Sequence, residues 1–399
     1  MSERRAALLV LLSGAFLWPF PTAALAQFPW AGARATGMGG AQVAAVNDAT
    51  AAWSNPAALG RLDGWNVQLL GGGLAANRNG LLGIADSLAR FPFDAIADGT
   101  RPDFLAGLLD DLERLARTDT SVIFSGVGGL VVSHRGFALS LGVIPYAGIY
   151  PVIDLIHVIP GAGPDRGLRF NDSGVSFTGL EAREVRVAYG RSFLGQTIEA
   201  GGAVRLVFGR TFFDRCSVFD CGGENLSELV RDAFHKNRRD STDFTFDLGA
   251  IANLGILKVG VVGTSLNEPE FEVADVPGAP GSVKLPRQVR GGLAVEALPF
   301  LTLAADGDLI KSDTLAAGTR SQQFSLGAEV RIPAFSFRGG VYRDFAATQP
   351  HWAYSVGIGF GTPIVSVDAS ILLSPKGGVN PNSLDREDLA GSVGLRLHF

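Results

Sequence analysis

The 399-residue chain has two cysteines, five histidines, no block of lysine and arginine, and no long apolar run beyond its first twenty residues. Each scarcity excludes something. His134, His157, His235, His351 and His398 are scattered, and none has a second ligand or a nucleophile at motif spacing. No metal, cofactor or nucleophilic enzyme motif is therefore legible, although a site assembled from several strands would escape this test. The net charge is −5, and without a basic block there is no footprint for a nucleic-acid partner. No segment after the N-terminal region reaches the roughly 18 apolar residues that a spanning helix needs. Yet glycine is abundant, at 52 residues, and mean hydropathy is positive at +0.23. An apolar chain without a spanning helix is what a transmembrane β-barrel produces, because its apolar residues alternate with polar ones.

The N-terminus reads as a secretory signal. Arg4 and Arg5 precede an apolar run from Ala6 to Trp18, and Ala24-Leu25-Ala26 forms a small-x-small cleavage site before Gln27. A retained anchor is the competing reading, but the run is short and Pro19 and Pro21 break it. The expected organisation is a signal peptide over 1–26, an N-terminal hatch over 27–64 and a barrel over 65–399. The expected location is a bacterial outer membrane. In that oxidising setting Cys216 and Cys221, in Cys-Ser-Val-Phe-Asp-Cys, are most simply a disulfide closing a small loop.

What is present is period-2 alternation. In the last strand Leu389, Val393, Leu395, Leu397 and Phe399 fall on one face, and Ala390, Ser392, Gly394, Arg396 and His398 on the other. Leu395, Leu397 and the terminal Phe399 resemble the assembly signal of bacterial outer-membrane proteins, which implies the barrel-assembly machinery as a partner and outer-membrane lipid as the surroundings. Thirteen further segments of this kind precede it, from Trp65–Ala75 to Ile364–Ser374, which makes an antiparallel barrel of 14 strands. Val152–Ile159 and Gly174–Thr178 are candidate extra strands, so 16 is the alternative. Connections after even-numbered strands are very short, as at His134–Gly136 and Gly195-Gln196, and those after odd-numbered ones are longer, as at Tyr150–Ala182. That parity gives periplasmic turns on one side and extracellular loops on the other.

Charged residues such as Glu184, Arg186, Glu199, Arg205, Asp247, Asp306, Glu329 and Asp368 fall on the face opposite the apolar stripe. A charge in hydrocarbon costs about 2–4 kcal/mol at the midplane, so these side chains should point inward and pair. Within the long loops, Ile84–Ala97, Pro102–Arg117 and Glu224–Lys236 have helical spacing.

Gln27–Gly64 is not strand-like. It holds Gly37-Met38-Gly39-Gly40, which lacks a Walker lysine, Rossmann spacing and a preceding strand, so it is no phosphate loop. Small residues suit close packing inside a barrel, and Asn55-Pro56 makes a turn before Ala57. With Gly37, Gly39, Gly40 and Asn55-Pro56-Ala57, the segment resembles the N-terminal hatch of FadL/TodX-type hydrophobic-compound transporters. It is also similar to the start of PorV-type accessory barrels of type IX secretion and of TraF-type conjugal-transfer proteins. The helical insert followed by Ser121–Ile149 is most similar to the TraF-type group.

For the transporters the resemblance implies passive entry of a hydrophobic molecule past the hatch and sideways exit through a strand defect. Here Gly142, Pro145 and Gly148 of the third strand are the candidate gate, since proline removes a ladder donor and glycine tolerates a bulge. Pro145 could equally end the strand at the rim. The alternative function is a non-transporting barrel serving a conjugation or secretion apparatus. Apolar residues lining the lumen favour the first function, and a closed lumen lined by paired charges favours the second.

Overall fold

A computed structural model describes residues 30–81, 105–116, 120–159, 162–163, 165–217, 233–348, 350–374 and 388–399. Its strands are β1 (Trp65–Arg78), β2 (Ser121–His134), β3 (Phe137–Val152), β4 (Gly174–Phe193), β5 (Ile198–Ser217), β6 (Arg238–Leu254), β7 (Leu257–Thr264), β8 (Glu270–Glu272), β9 (Ser282–Lys284), β10 (Gln288–Leu298), β11 (Leu301–Asp308), β12 (Ser312–Asp313), β13 (Arg320–Ser321), β14 (Gln323–Ile332), β15 (Phe335–Asp344), β16 (Ala353–Gly361), β17 (Val365–Leu373) and β18 (Asp388–His398). Fourteen of these, all but β8, β9, β12 and β13, form one closed antiparallel barrel. The other four make two small hairpins in the long loops.

Alternation builds this wall. On β3, Phe137, Leu139, Leu141 and Val143 are exposed while Ala138, Ser140 and Ile144 are buried. The same holds round the barrel, with Val187, Leu206, Phe246, Phe337, Val356 and Val393 outward. A continuous outer apolar band over a polar and small-residue interior defines a transmembrane β-barrel. β1 closes on β18 from Asn66↔His398 to Ala76↔Asp388, and Trp65 and Phe399 exchange backbone hydrogen bonds at 2.7 and 2.9 Å beside that seam.

The candidate extra strands are parts of longer ones. Gly174–Thr178 is the long-loop end of β4, paired with β3 and β5, and β3 runs on through Val152. β4 and β5 each have 20 residues, about twice the number needed to cross a bilayer, so this side of the wall stands well above the lipid band. The outer face of that extension is covered: Phe177 and Phe212 are buried and pack on Phe234, with ring centroids 5.7 and 4.3 Å apart.

In the first long loop a helix runs from Leu105 to Leu115, inside the expected Pro102–Arg117. Its Leu108, Leu112 and Leu115 are buried in the same cluster as Val122 and Ile123 of β2. The expected helix at 84–97, most of 224–236, the signal region and Cys221 lie outside the described residues.

Candidate functional site

The interior is occupied by the N-terminal segment. From Trp30 to Leu59 nearly every side chain is buried, as small residues in close contact with the wall must be. The segment makes a circuit of the barrel. A short helix, Ala33–Gly37, lies against β15–β18. Met38 then crosses Gly327 of β14 and Gly340 of β15 so closely that a Cβ on Gly340 would sit 2.4 Å from the Met38 carbonyl carbon. Gly39 and Gly40 turn the chain with φ of +66° and +96°, a conformation that strains other residues. The backbone N–H groups of Gln42 and Val43 donate to Asp306 Oδ2 at 2.7 and 2.8 Å. A second short helix, Ala51–Ser54, places Trp53 against β2 and β3, and a 3-10 helix, Pro56–Arg61, ends against β4–β6.

Asn55 explains its own position. It caps the Pro56–Arg61 turn, its Oδ1 accepting from Ala57 N at 3.2 Å. Its Nδ2 donates to Val43 O at 2.9 Å and to Val261 O of β7 at 3.4 Å. Pro56 supplies the fixed φ that the first helical position wants. The turn sits over Gly190, Gly201 and Gly249, each within a few residues of the short-turn end of its strand.

Buried ion pairs pin the segment to the wall. Arg34 donates to Glu329 of β14 at 2.8 Å, and Glu329 also accepts from Arg338 of β15, which reaches Asp368 of β17 at 2.6 Å. Arg61 pairs with Glu199 of β5 at 2.9 Å. Between these lies a wall network in which Glu184 and Asp247 are shared by Arg186 and Arg205. Arg186 also donates to Ala52 O at 2.6 Å and lies over the Trp53 ring. Of the inward charges expected on the strands, Glu184, Arg186, Glu199, Arg205, Asp247, Glu329 and Asp368 are thus in ion pairs, each carboxylate offsetting a guanidinium that would be costly alone, and Asp306 is held by the backbone of the N-terminal segment. Arg34, Arg61 and Trp53 carry this arrangement and no sequence pattern singled them out. Their one signal is that they are large side chains in a run of small ones.

The other half of the interior, toward the long loops, is apolar on the β2–β5 side. Val127, Ile144, Tyr146, Leu180, Val207 and Phe213 are buried there in one cluster. Two loop tips drop into it. Phe271 of the β8–β9 hairpin covers Gly209, where a Cβ would come within 2.2 Å of its ring, and Ala316 beside Leu315 covers Gly148. Lower down, a cavity of about 10 Å³, room for about one water, is lined by Gln42, Val43, Ser54, Val262, Thr264, Gln288 and Arg290.

Of the candidate gate residues, Gly142 and Gly148 face inward and Pro145 lies on the outward face beside Gly126. Gly142 faces the Trp53 ring and Gly148 faces Ala316. Both glycines therefore make room for something packed against the wall. β3 pairs with β4 without interruption through Pro145↔Glu181. On its other edge the β2–β3 ladder holds Ser125↔Tyr146 and Gly128↔Val143 but lacks the two pairs between, opposite Ile144 and Pro145. A missing donor at Pro145 accounts for the gap. Outside it, Gly71 and Gly128 present no side chain to the surroundings.

These features define a 14-stranded transmembrane barrel with a pinned N-terminal segment inside and a buried apolar cluster above it. Residues 52–308 match the family described as F plasmid transfer operon, TraF, protein, and the chain belongs to that family. No curated protein matches it in sequence. Among solved structures it is similar to the CymD monoaromatic hydrocarbon channel, at 15% identity and TM-score 0.55 over 94% of this chain and 99% of that one. It is similar to a Pseudomonas aeruginosa FadL homologue, at 14% and 0.54 over 95% and 99%. It also resembles the Ralstonia pickettii toluene transporter TbuX, at 14% and 0.50 over 92% and 98%. At these identities the likeness is one of fold.

Proposed function

We propose that the chain is an outer-membrane channel for passive entry of small hydrophobic molecules. The observation that carries this reading is the apolar cluster of Ile144, Tyr146, Leu180, Val207 and Phe213, built on inward-facing strand positions that elsewhere hold charges and capped by loop tips, so that it becomes a binding site when those tips lift. Burying apolar surface there offers a solute about 25 cal/mol per Å². Phe271 and Leu315 fill the mouth, so a solute enters by displacing them. The fold shared with a monoaromatic hydrocarbon channel and a toluene transporter supports the same substrate class. Below that cluster the ion-paired segment blocks a straight path, which favours sideways exit where the β2–β3 ladder is interrupted. The test is uptake of radiolabelled toluene by cells that lack such channels and express this barrel. Val207→Asp should abolish the added uptake, and Pro145→Val, which restores the donor missing beside the gap, should slow it while the barrel still assembles. Equal uptake with and without the barrel would overturn the transport reading.

A second reading is a structural or interaction component of a conjugation apparatus. The family's description and the pinned, charge-paired interior favour it. It predicts no uptake, and loss of conjugal transfer when the chain is deleted.

A further inference from the structure

The outer surface of the barrel carries a basic diagonal where its lipid-facing band ends on β4–β6. Cross-strand register sets the rows. The row at the edge of the apolar band runs through Val143, Arg183, Phe208 and Thr242. The row above it runs through Pro145, Glu181, Arg210 and Asp240, and the next through Ala147, Gly179, Phe212 and Arg238. Alternation turns Arg183, Arg210 and Arg238 outward with Val185, Phe208 and Phe244. Each arginine is one strand across and one row up from the last, so neighbouring Cα atoms are about 8 Å apart. All three act electrostatically on one carboxylate, Asp240, which Arg210 grips through both oxygens at 2.6 and 3.1 Å. Glu181 takes Arg183. Among the described residues of these three rows, two carboxylates for three guanidiniums leave the diagonal positive, and Arg183 and Asp240 remain more than half exposed at the side chain.

A positive diagonal that starts at the edge of the hydrocarbon band and rises two rows above it lies at the depth of lipid headgroups. Guanidinium is the side chain best matched to phosphate, which it can bind with two parallel hydrogen bonds. Acyl chains could lie along the apolar residues directly beneath, on Val143, Val185 and Phe244. We propose that Arg183, Arg210 and Arg238 form a binding site for the phosphates of the glycolipid in the outer leaflet. The lipid's phosphate displaces or shares Arg210 from Asp240, and its acyl chains cover the band below. The site requires only that the barrel sits in an outer membrane. It holds whether or not the barrel transports.

The experiment uses the full barrel in nanodiscs containing bisphosphorylated lipid A, its dephosphorylated form, or phosphatidylglycerol, with bound lipid counted by native mass spectrometry. Retention of bisphosphorylated lipid A should exceed that of the dephosphorylated form at least tenfold. Arg183→Gln with Arg210→Gln and Arg238→Gln should remove that difference, and the three-lysine variant should recover part of it. Arg343→Gln, on the far side of the barrel, should leave it intact. Heat-modified migration on gels reports that each variant folds, and single Arg238→Gln serves if the triple variant does not. Equal retention of phosphorylated and dephosphorylated lipid would overturn the proposal. So would retention of phosphatidylglycerol equal to that of lipid A, or an unchanged difference in the glutamine variant.

Discussion

Trp53 and Gly142 fit one another so closely that each should determine the effect of changing the other. A Cβ at Gly142 would lie 2.2 Å from Trp53 Cη2 and 2.8 Å from Cζ2. Carbon atoms rest at about 3.5–4.0 Å, so Gly142→Ala must push the indole back by more than an ångström or bend β3. Such overpacking costs about 1–3 kcal/mol. Trp53→Ala empties the same place and should cost about 3–5 kcal/mol, the range for deleting a buried aromatic. In the double variant the methyl added by Gly142→Ala enters the space the indole has left, so the penalty of that substitution should vanish. The double variant should then be more stable than the sum of the singles by about 1–3 kcal/mol. Urea unfolding of the barrel in detergent, followed by circular dichroism, measures all four corners of the cycle. Additivity within about 0.5 kcal/mol would refute the contact.

Three further outcomes follow from particular groups. Glu329→Gln leaves Arg34 and Arg338 without their shared carboxylate, at a cost of about 3–5 kcal/mol, and should loosen the N-terminal segment. Raised single-channel conductance in planar bilayers checks this, and an unchanged conductance would show that the pair does not hold the segment. Burial works against the Asp154 carboxylate in the β3–β4 loop, but hydrogen bonds from His157 and from backbone N–H groups outweigh it and hold its pKa at about 2 against an ordinary 3.8. A lowered carboxylate pKa stabilises above the ordinary value and ceases to as pH falls through the folded one, so pepsin should cut this loop faster as pH drops from 4 toward 2. Asp154→Asn should already be cut quickly at the upper end of that window, and equal rates for the two proteins would contradict the assignment. Cys216 and Cys221 should yield no reactive thiol in protein purified without reductant, and two labelled thiols would show that the bridge is absent.

The barrel was legible because lipid and interior impose opposite demands on alternate residues. Phe137, Leu139 and Leu141 could only face out, and Arg186 and Glu329 only in. Strand length was less legible where that contrast ends. Above the lipid band Phe177 and Phe212 point outward yet are covered by Phe234, so the alternation fades and Gly174–Thr178 reads as a separate segment. The partners within the interior could not be read at all. Arg34 and Glu329 are 295 positions apart, and spacing along the chain says nothing about which strand a circling segment meets. Gly142 and Gly148 show the same limit. Backbone freedom was the visible property of glycine, but the absence of a side chain is what Trp53 and Ala316 use.

Binding of an environment-sensitive hydrophobic dye, N-phenyl-1-naphthylamine, to the purified barrel tests the transport account most directly. The dye brightens in apolar surroundings, and transport through the apolar cluster predicts saturable binding with one molecule per barrel. Val207→Asp should weaken it at least tenfold, because a further buried carboxylate would stand opposite Glu184, in excess of the two guanidiniums that Glu184 and Asp247 already balance. Phe271→Ala should speed association by removing the side chain that fills the mouth. Fluorescence that rises without saturation, or that Val207→Asp leaves unchanged in a folded barrel, would contradict the account.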